Sequence, residues 1–179
     1  MRTSLICLAT LASGFISQAT CAPVVVPPPR PDICSMEQLV LMNRCQLLTL
    51  YANSETGPIP NGYTPGLAIF NPGRPLTMAR ARLTSKTLWQ GKTFLDDHLV
   101  NKVCGLQAFN AAVYLGASWY DGKPSIVIDY QDLKWPASRY RDEIREVSPG
   151  IYLGLMFERR CPQPELKVFF TLDARGDCR

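Results

Sequence analysis

Apolar and polar positions change rhythm along this chain, from a mainly apolar run near the start, to helical spacing around residue 40, to short alternating runs from residue 62 onward. Met36, Leu39, Val40, Leu47, Leu50 and Tyr51 recur at three- and four-residue intervals and predict one amphipathic helix. Asp32 and Ser35 can cap it, and Ser35 with Gln38 has the spacing of a capping box. Residues 53–61, rich in Asn, Gly and Pro, end it. Beyond them the pattern shortens to strand length: 62–70, 89–94, 99–104, 106–115, 125–130, 139–147, 151–157 and 166–172. Pro65 places the first of these at an edge or a bend, and 76–89 reads as mixed helix and strand. Asp121-Gly122 supplies the turn before 125–130, and residues 119–157 together read as consecutive antiparallel strands around a closed interior. Many short strands with one helix predict an all-β sandwich or barrel.

The two ends of the chain add organisation. Met1-Arg2-Thr3-Ser4, the apolar stretch 5–16 and the small residues up to Ala22 have the order of a secretory signal peptide. Cleavage fits after Ala19 or after Cys21, and the apolar run is shorter than the ~20 residues a membrane span needs. Residues 22–31 form a proline-rich, extended spacer. The expected organisation is a signal peptide at 1–21, a spacer at 22–31 and one disulfide-stapled barrel domain with an N-terminal helix at 32–179. The expected location is secreted or extracellular, with a periplasmic protein or one lipid-anchored at Cys21 as lesser alternatives. In an oxidising compartment Cys34, Cys45, Cys104, Cys161 and Cys178 read as disulfide partners, Cys161 with Cys178 and Cys34 with Cys45 or Cys104. The net charge of +4 comes from basic residues scattered among acids, which points away from nucleic acid and toward a solvated surface.

Four segments in order resemble one known family. Gly62-Tyr63-Thr64-Pro65-Gly66 stands where a family of small bacterial and fungal proteins carries the GxWxG element it is named for, the aromatic residue here being Tyr63. Trp89-Gln90-Gly91-Lys92-Thr93-Phe94 resembles the family's W-x-G-K-x-F element, residues 120–130 its Y-D-x-x-P-I-I-D-x-F element, and Leu153-Gly154-Leu155-Met156 its L-G-x-M strand. The resemblance spans residues 57–157. It implies a mainly β, antiparallel barrel related to the calycins and lipocalins that holds a ligand, and it implies no particular reaction.

The candidate chemistry is sparse. Tyr63, Trp89, Trp119, Tyr120, Tyr130, Tyr152 and Phe157 are candidate walls of a ligand cavity, because aromatic rings combine apolar area with polar tips. Alternation puts Ile126, Ile128 and Tyr130 on one face of their strand and Asp129 on the other; an inward Asp129 would need a partner such as Arg141 or Arg145. Asp129, Tyr130, Arg141 and Arg145 are therefore the candidates for acid–base chemistry, with a carboxylate pair drawn from Asp129, Asp142, Glu143 and Glu146 as an alternative. Arg141, Glu143 and Arg145 share one face and Asp142, Ile144 and Glu146 the other, so an inward Ile144 turns the arginines outward. His98 is the only histidine, and no nucleophile elbow, metal-ligand set or cofactor motif accompanies it. The reading that follows is a secreted barrel binding a hydrophobic small molecule, without a cofactor, a metal, nucleic acid or stable membrane insertion. A cofactor-independent isomerase, cyclase or lyase working in the same cavity, and a secreted interaction or effector protein with a protein partner, are the alternatives.

Overall fold

The computed structural model describes residues 32–176. The expected signal peptide, the spacer and Cys178 lie outside the described residues. Two helices, α1 (Met36–Leu41) and α2 (Arg44–Ala52), precede β1 (Gly62–Ile69), and α3 (Thr77–Thr87) links it to β2 (Trp89–Leu95). There follow β3 (His98–Val103), β4 (Leu106–Ala117), β5 (Pro124–Asp129), β6 (Tyr140–Ser148), β7 (Ile151–Glu158) and β8 (Glu165–Asp173). Each strand pairs antiparallel with its neighbour in sequence, and β8 returns to β1 to close an eight-strand barrel. Closure leaves no sheet edge open.

Pro65 sits where β1 changes partner: residues up to Pro65 pair with β2, and Gly66 onward pairs with β8. The missing N–H therefore falls at a bend, as the sequence suggests. On β2 a bulge between Trp89 and Gly91 adjusts the register, and Gly91 adopts φ +140° against the backbone of Thr64 and Pro65. Only a residue without a Cβ fits there.

The chain builds two apolar layers. Inside the barrel, Phe94, Leu99, Val113, Ile126, Ile128, Ile144, Tyr152, Phe170 and Leu172 form one buried cluster. Outside it, Leu39, Val40, Leu47, Leu50 and Tyr51 of the helices pack on Leu67, Ile69, Leu153, Leu155 and Phe169. β7 is thus buried on both faces, which explains its nearly continuous apolar run.

Three expectations change. The predicted single helix is two, because Met42 turns extended and Asn43 starts afresh: its side chain accepts the Gln46 N–H at 3.0 Å while Gln46 Oε1 accepts the Asn43 N–H at 2.9 Å. Both pieces bury the same stripe, so the spacing reads as one helix. The ambiguous 76–89 segment is a helix that stops at Thr87, with β2 beginning at Trp89. The expected disulfide staples are absent among the described residues: Cys34, Cys45, Cys104 and Cys161 are exposed, free thiols. They stand on separate segments, before α1, on α2, in the β3–β4 turn and after β7. Strand closure and the two apolar layers provide the cohesion that the cysteines were expected to give.

Candidate functional site

One end of the barrel holds an open-mouthed cavity of about 360 Å³. The ends of β1, β3, β5 and β7 and the starts of β2, β4, β6 and β8 surround it, with α3 and the β5–β6 connection at its mouth. Its walls are apolar, from Ala68, Phe70, Leu88, Val103, Met156 and Phe170 among others. Two glycines make room for its rings. A Cβ on Gly66 would lie 2.6 Å from Trp89, and one on Gly154 would be driven into the Phe170 ring. Trp89 and Phe170 consequently meet edge to face, 5.7 Å between centroids.

The floor is polar and buried. Lys92, Asn101, Tyr130 and Asp142 come from four different segments, and alternation turns each of them inward beside a core residue such as Phe94, Leu99, Ile128 or Ile144. Lys92 is 2 % exposed and Asp142 3 %. Lys92 Nζ donates to Asp142 Oδ2 at 2.9 Å, to Asn101 Oδ1 at 2.9 Å and to Tyr130 Oη at 2.6 Å. Trp89 Nε1–H joins at Asn101 Oδ1, 3.1 Å away, and Asn101 Nδ2 donates to Tyr130 Oη at 3.0 Å. The ammonium also stands 5.3–5.5 Å from the ring centroids of Phe170, Tyr130 and Trp89, so aromatic faces share in holding the charge. Burial, reinforced by the Asp142 charge, pushes the Tyr130 phenol well above its ordinary pKa. It remains a donor, its hydroxyl 3.1 Å from Asp142 Oδ2.

Of the residues singled out in the sequence, Trp89 and Tyr130 line this cavity together. Tyr63 is on the outer surface, its hydroxyl donating to the Gln90 carbonyl at 3.0 Å and Lys102 lying over its ring. Trp119 lies outside the barrel against Phe157, with Arg141 and Arg159 over its ring. Tyr120 is exposed beside Tyr51. Tyr152 faces the interior, where its hydroxyl donates to the Pro58 carbonyl at 2.7 Å; burial, then the charge of Glu146, lift its pKa to about 12. Asp129 points away from the cavity and is paired with Arg159 at 2.5 Å.

Ile144 does face inward, and the arginines of β6 face out. They are nevertheless buried. Arg141 pairs with Glu143 at 3.1 Å, and Arg145 grips Asp121 with two nitrogens at 2.7 and 2.8 Å beneath α2. Burial raises the Glu143 pKa, against the lowering effect of hydrogen bonds from Ser118 and the Trp119 N–H. His98 is exposed at the start of β3 and pairs with Asp97 of the β2–β3 turn.

Lys92 and Asn101 were not among the candidates, and Asp142 was one only as a member of an alternative carboxylate pair, not as the partner of a buried lysine. Signals for two of them exist. Lys92 alternates in phase with Phe94 in the W-x-G-K-x-F element, and Asp142 shares its face with Ile144. Neither strand alone reveals that the two meet. Asn101 alternates with Leu99 and Val103, but an isolated asparagine carries no comparable mark.

Among the described residues no group of three or more His, Cys, Asp or Glu side chains gathers as a metal site would require. No described helix is long and apolar enough to cross a membrane. The fold and the cavity define an eight-stranded antiparallel barrel of calycin- or lipocalin-like form. No family model matches the chain, and no curated protein matches it. It is similar to a crystal structure of a protein from Thermomonospora curvata, with 20 % identity, a TM-score of 0.49, and coverage of 75 % of this chain and 88 % of that one.

Proposed function

We propose that this barrel binds a small, mainly apolar molecule in the cavity between α3 and the Lys92–Asp142 floor. The observation that carries the reading is the space itself, about 360 Å³ with apolar walls and a few converging polar groups at its inner end. That combination suits a ligand held by burial and oriented by a few hydrogen bonds. Titration with N-phenyl-1-naphthylamine, followed by its fluorescence, tests the reading: saturable binding is expected, weakened by Ala68→Leu, which fills the cavity from β1. Absence of saturable binding by this probe and by aliphatic competitors would refute it.

Two further parts of the proposal rest on sequence. Kinship with the GxWxG-motif family is supported by the order of its elements along residues 57–157, with Gly66, Trp89, Lys92 and Gly154 of those elements meeting around the cavity. Export is supported by the charged, apolar and small-residue order of residues 1–21. The intact mass of the protein isolated from its own source tests export directly, since removal of the first 19 or 21 residues is expected. A mass that retains Met1-Arg2 and the apolar run would overturn it.

A further inference from the structure

Apolar side chains at the mouth of the cavity are left uncovered among the described residues. Phe70, Leu88 and Phe109 line the cavity and are still 36, 54 and 51 % exposed, so its apolar wall continues onto the outer surface. Two side chains beside that wall stand further out. Leu83 on α3 is 63 % exposed, and Trp135, next to the lining residues Pro136 and Ala137, is 75 % exposed. Apolar side chains gathered around one opening and set among polar ones mark a surface that meets a partner or a lipid phase.

Positive charge collects at the same end. Residues 70–88, which lead from β1 through α3 to β2, contain Arg74, Arg80, Arg82 and Lys86 and no acidic residue. All four are exposed, and none has an ion pair among the described residues. Without them the nineteen basic residues of the chain would be fifteen, equal to its fifteen acidic ones, so the net charge of +4 is the charge of this segment. On α3, Thr77 and Ala81 face the barrel, whereas Arg80, Leu83 and Lys86 recur every three residues on the side turned to solvent, with Arg82 beside them. The other end of the barrel has the opposite sign: Glu55 before β1 and Asp96 and Asp97 in the β2–β3 turn are exposed, and residues 53–61 and 96–97 include no basic side chain. A field of this shape turns the cavity mouth toward an anionic surface.

We infer that the mouth end of the barrel docks on an anionic lipid surface, with Arg80, Arg82 and Lys86 at the headgroups and Leu83 and Trp135 entering the interface between them. Cations alone would serve any polyanion. Leucine and tryptophan set among them fit a lipid interface, where the indole ring sits at headgroup level and an aliphatic side chain reaches the acyl boundary. A nucleic acid backbone offers charge but no apolar layer for Leu83. Each Arg or Lys close to an anionic membrane is worth about fivefold in affinity. Docking in this orientation brings Phe70, Leu88 and Phe109, and with them the cavity opening, to the layer in which apolar molecules collect. It stands apart from what the cavity holds.

Co-sedimentation of the full chain with vesicles of phosphatidylcholine, with or without phosphatidylglycerol as every third lipid, tests this at pH 7. Binding to the anionic vesicles is expected at ~0.1 M salt, and at least about tenfold weaker binding to the neutral vesicles or at ~1 M salt, where the screening length drops to about 3 Å. Replacing Arg80, Arg82 and Lys86 together by Gln should weaken binding about a hundredfold, three charges at about fivefold each. Leu83→Ser combined with Trp135→Ser keeps every charge and should still weaken it about tenfold or more, a loss that a purely ionic partner would not register. Brominated acyl chains should quench the tryptophan fluorescence of the native chain, and quench it less in Trp135→Phe. Equal binding to both kinds of vesicle, no binding to either, or unchanged binding by the triple variant overturns the docking. Displacement from the vesicles by a single-stranded oligonucleotide at equal phosphate concentration also overturns it and assigns the face to nucleic acid. Titration with N-phenyl-1-naphthylamine in the absence of vesicles reads the cavity separately, and none of the substituted residues lines it, so either reading can fail alone. Should a variant not fold, salt dependence and bromine quenching of the native chain still decide.

Discussion

Removing the Lys92 charge alone should cost more than removing it together with its partner. Lys92→Met leaves the Asp142 carboxylate buried with the Tyr130 hydroxyl as its one remaining partner among the described residues. Asp142→Leu leaves the buried ammonium facing two neutral acceptors, Asn101 Oδ1 and Tyr130 Oη. Each single change strands a charge in a site only 2–3 % exposed, for which about 3–5 kcal/mol of destabilisation is expected. The double variant removes both charges and fills much of the same volume with apolar atoms. Asn101 keeps Trp89 and Tyr130, and the main residual defect is the Tyr130 O–H, which loses its acceptor at about 1–3 kcal/mol. The double variant should therefore be at least as stable as either single one, with a coupling of at least about 3 kcal/mol. Urea unfolding of the four proteins at pH 7 measures this, provided the m-values agree. If the double variant loses the sum of the two single losses to within about 0.5 kcal/mol, the pair is not the coupled unit described here.

Gly154→Ala sets a methyl group against the Phe170 ring, and about 1–3 kcal/mol of stability should be lost along with probe affinity, since that ring is a cavity wall; an unchanged melting temperature would count against the packing. Asn43→Ala removes the acceptor that starts α2 and should cost about 1 kcal/mol by urea unfolding, with probe binding unaltered. Burial holds the phenols of Tyr51, Tyr130 and Tyr152 above their ordinary value of 10.0. A folded pKa above the unfolded one means that the unfolded chain loses protons first, so stability should fall as pH rises through 10. Absorbance of tyrosinate at ~295 nm should rise only in part near pH 10 and complete its rise on unfolding, and ionisation of all seven tyrosines in the folded state at pH 10 would contradict this.

Strand-length runs, turn residues and alternation carry local information, and the strands predicted from them fall closely on β1 to β8. The same alternation sorts Tyr130 from Asp129 and Ile144 from Arg141, because side-chain direction along a strand has a period of two. The meeting of Lys92 with Asp142 is a different kind of fact. Fifty residues separate them, and β3, β4 and β5 lie between their strands around the wall, so only barrel closure and register bring the two side chains across the interior. Helix spacing misled in the opposite sense: Leu39, Val40, Leu47 and Leu50 share one buried stripe although the chain breaks at Met42, and the capping pair Asn43 and Gln46 marked that break. Cysteine number invited a staple. Placement on four exposed, separate segments denies it among the described residues.

The unequal cladding of the wall has a kinetic consequence. β7 is buried on both faces, whereas most of β4 is exposed, and the neighbouring β3–β4 ladder carries a register shift at Val100/Asn101 with Phe109 at φ +56°. Opening free energy follows buried apolar contact, so backbone amides of β7 and β8 should exchange with deuterium only on global unfolding while those of β4 exchange through smaller, more frequent openings. Phe109 belongs to that looser side and also borders the cavity. The barrel is thereby expected to have a slow half that keeps its shape and a faster half that borders the cavity.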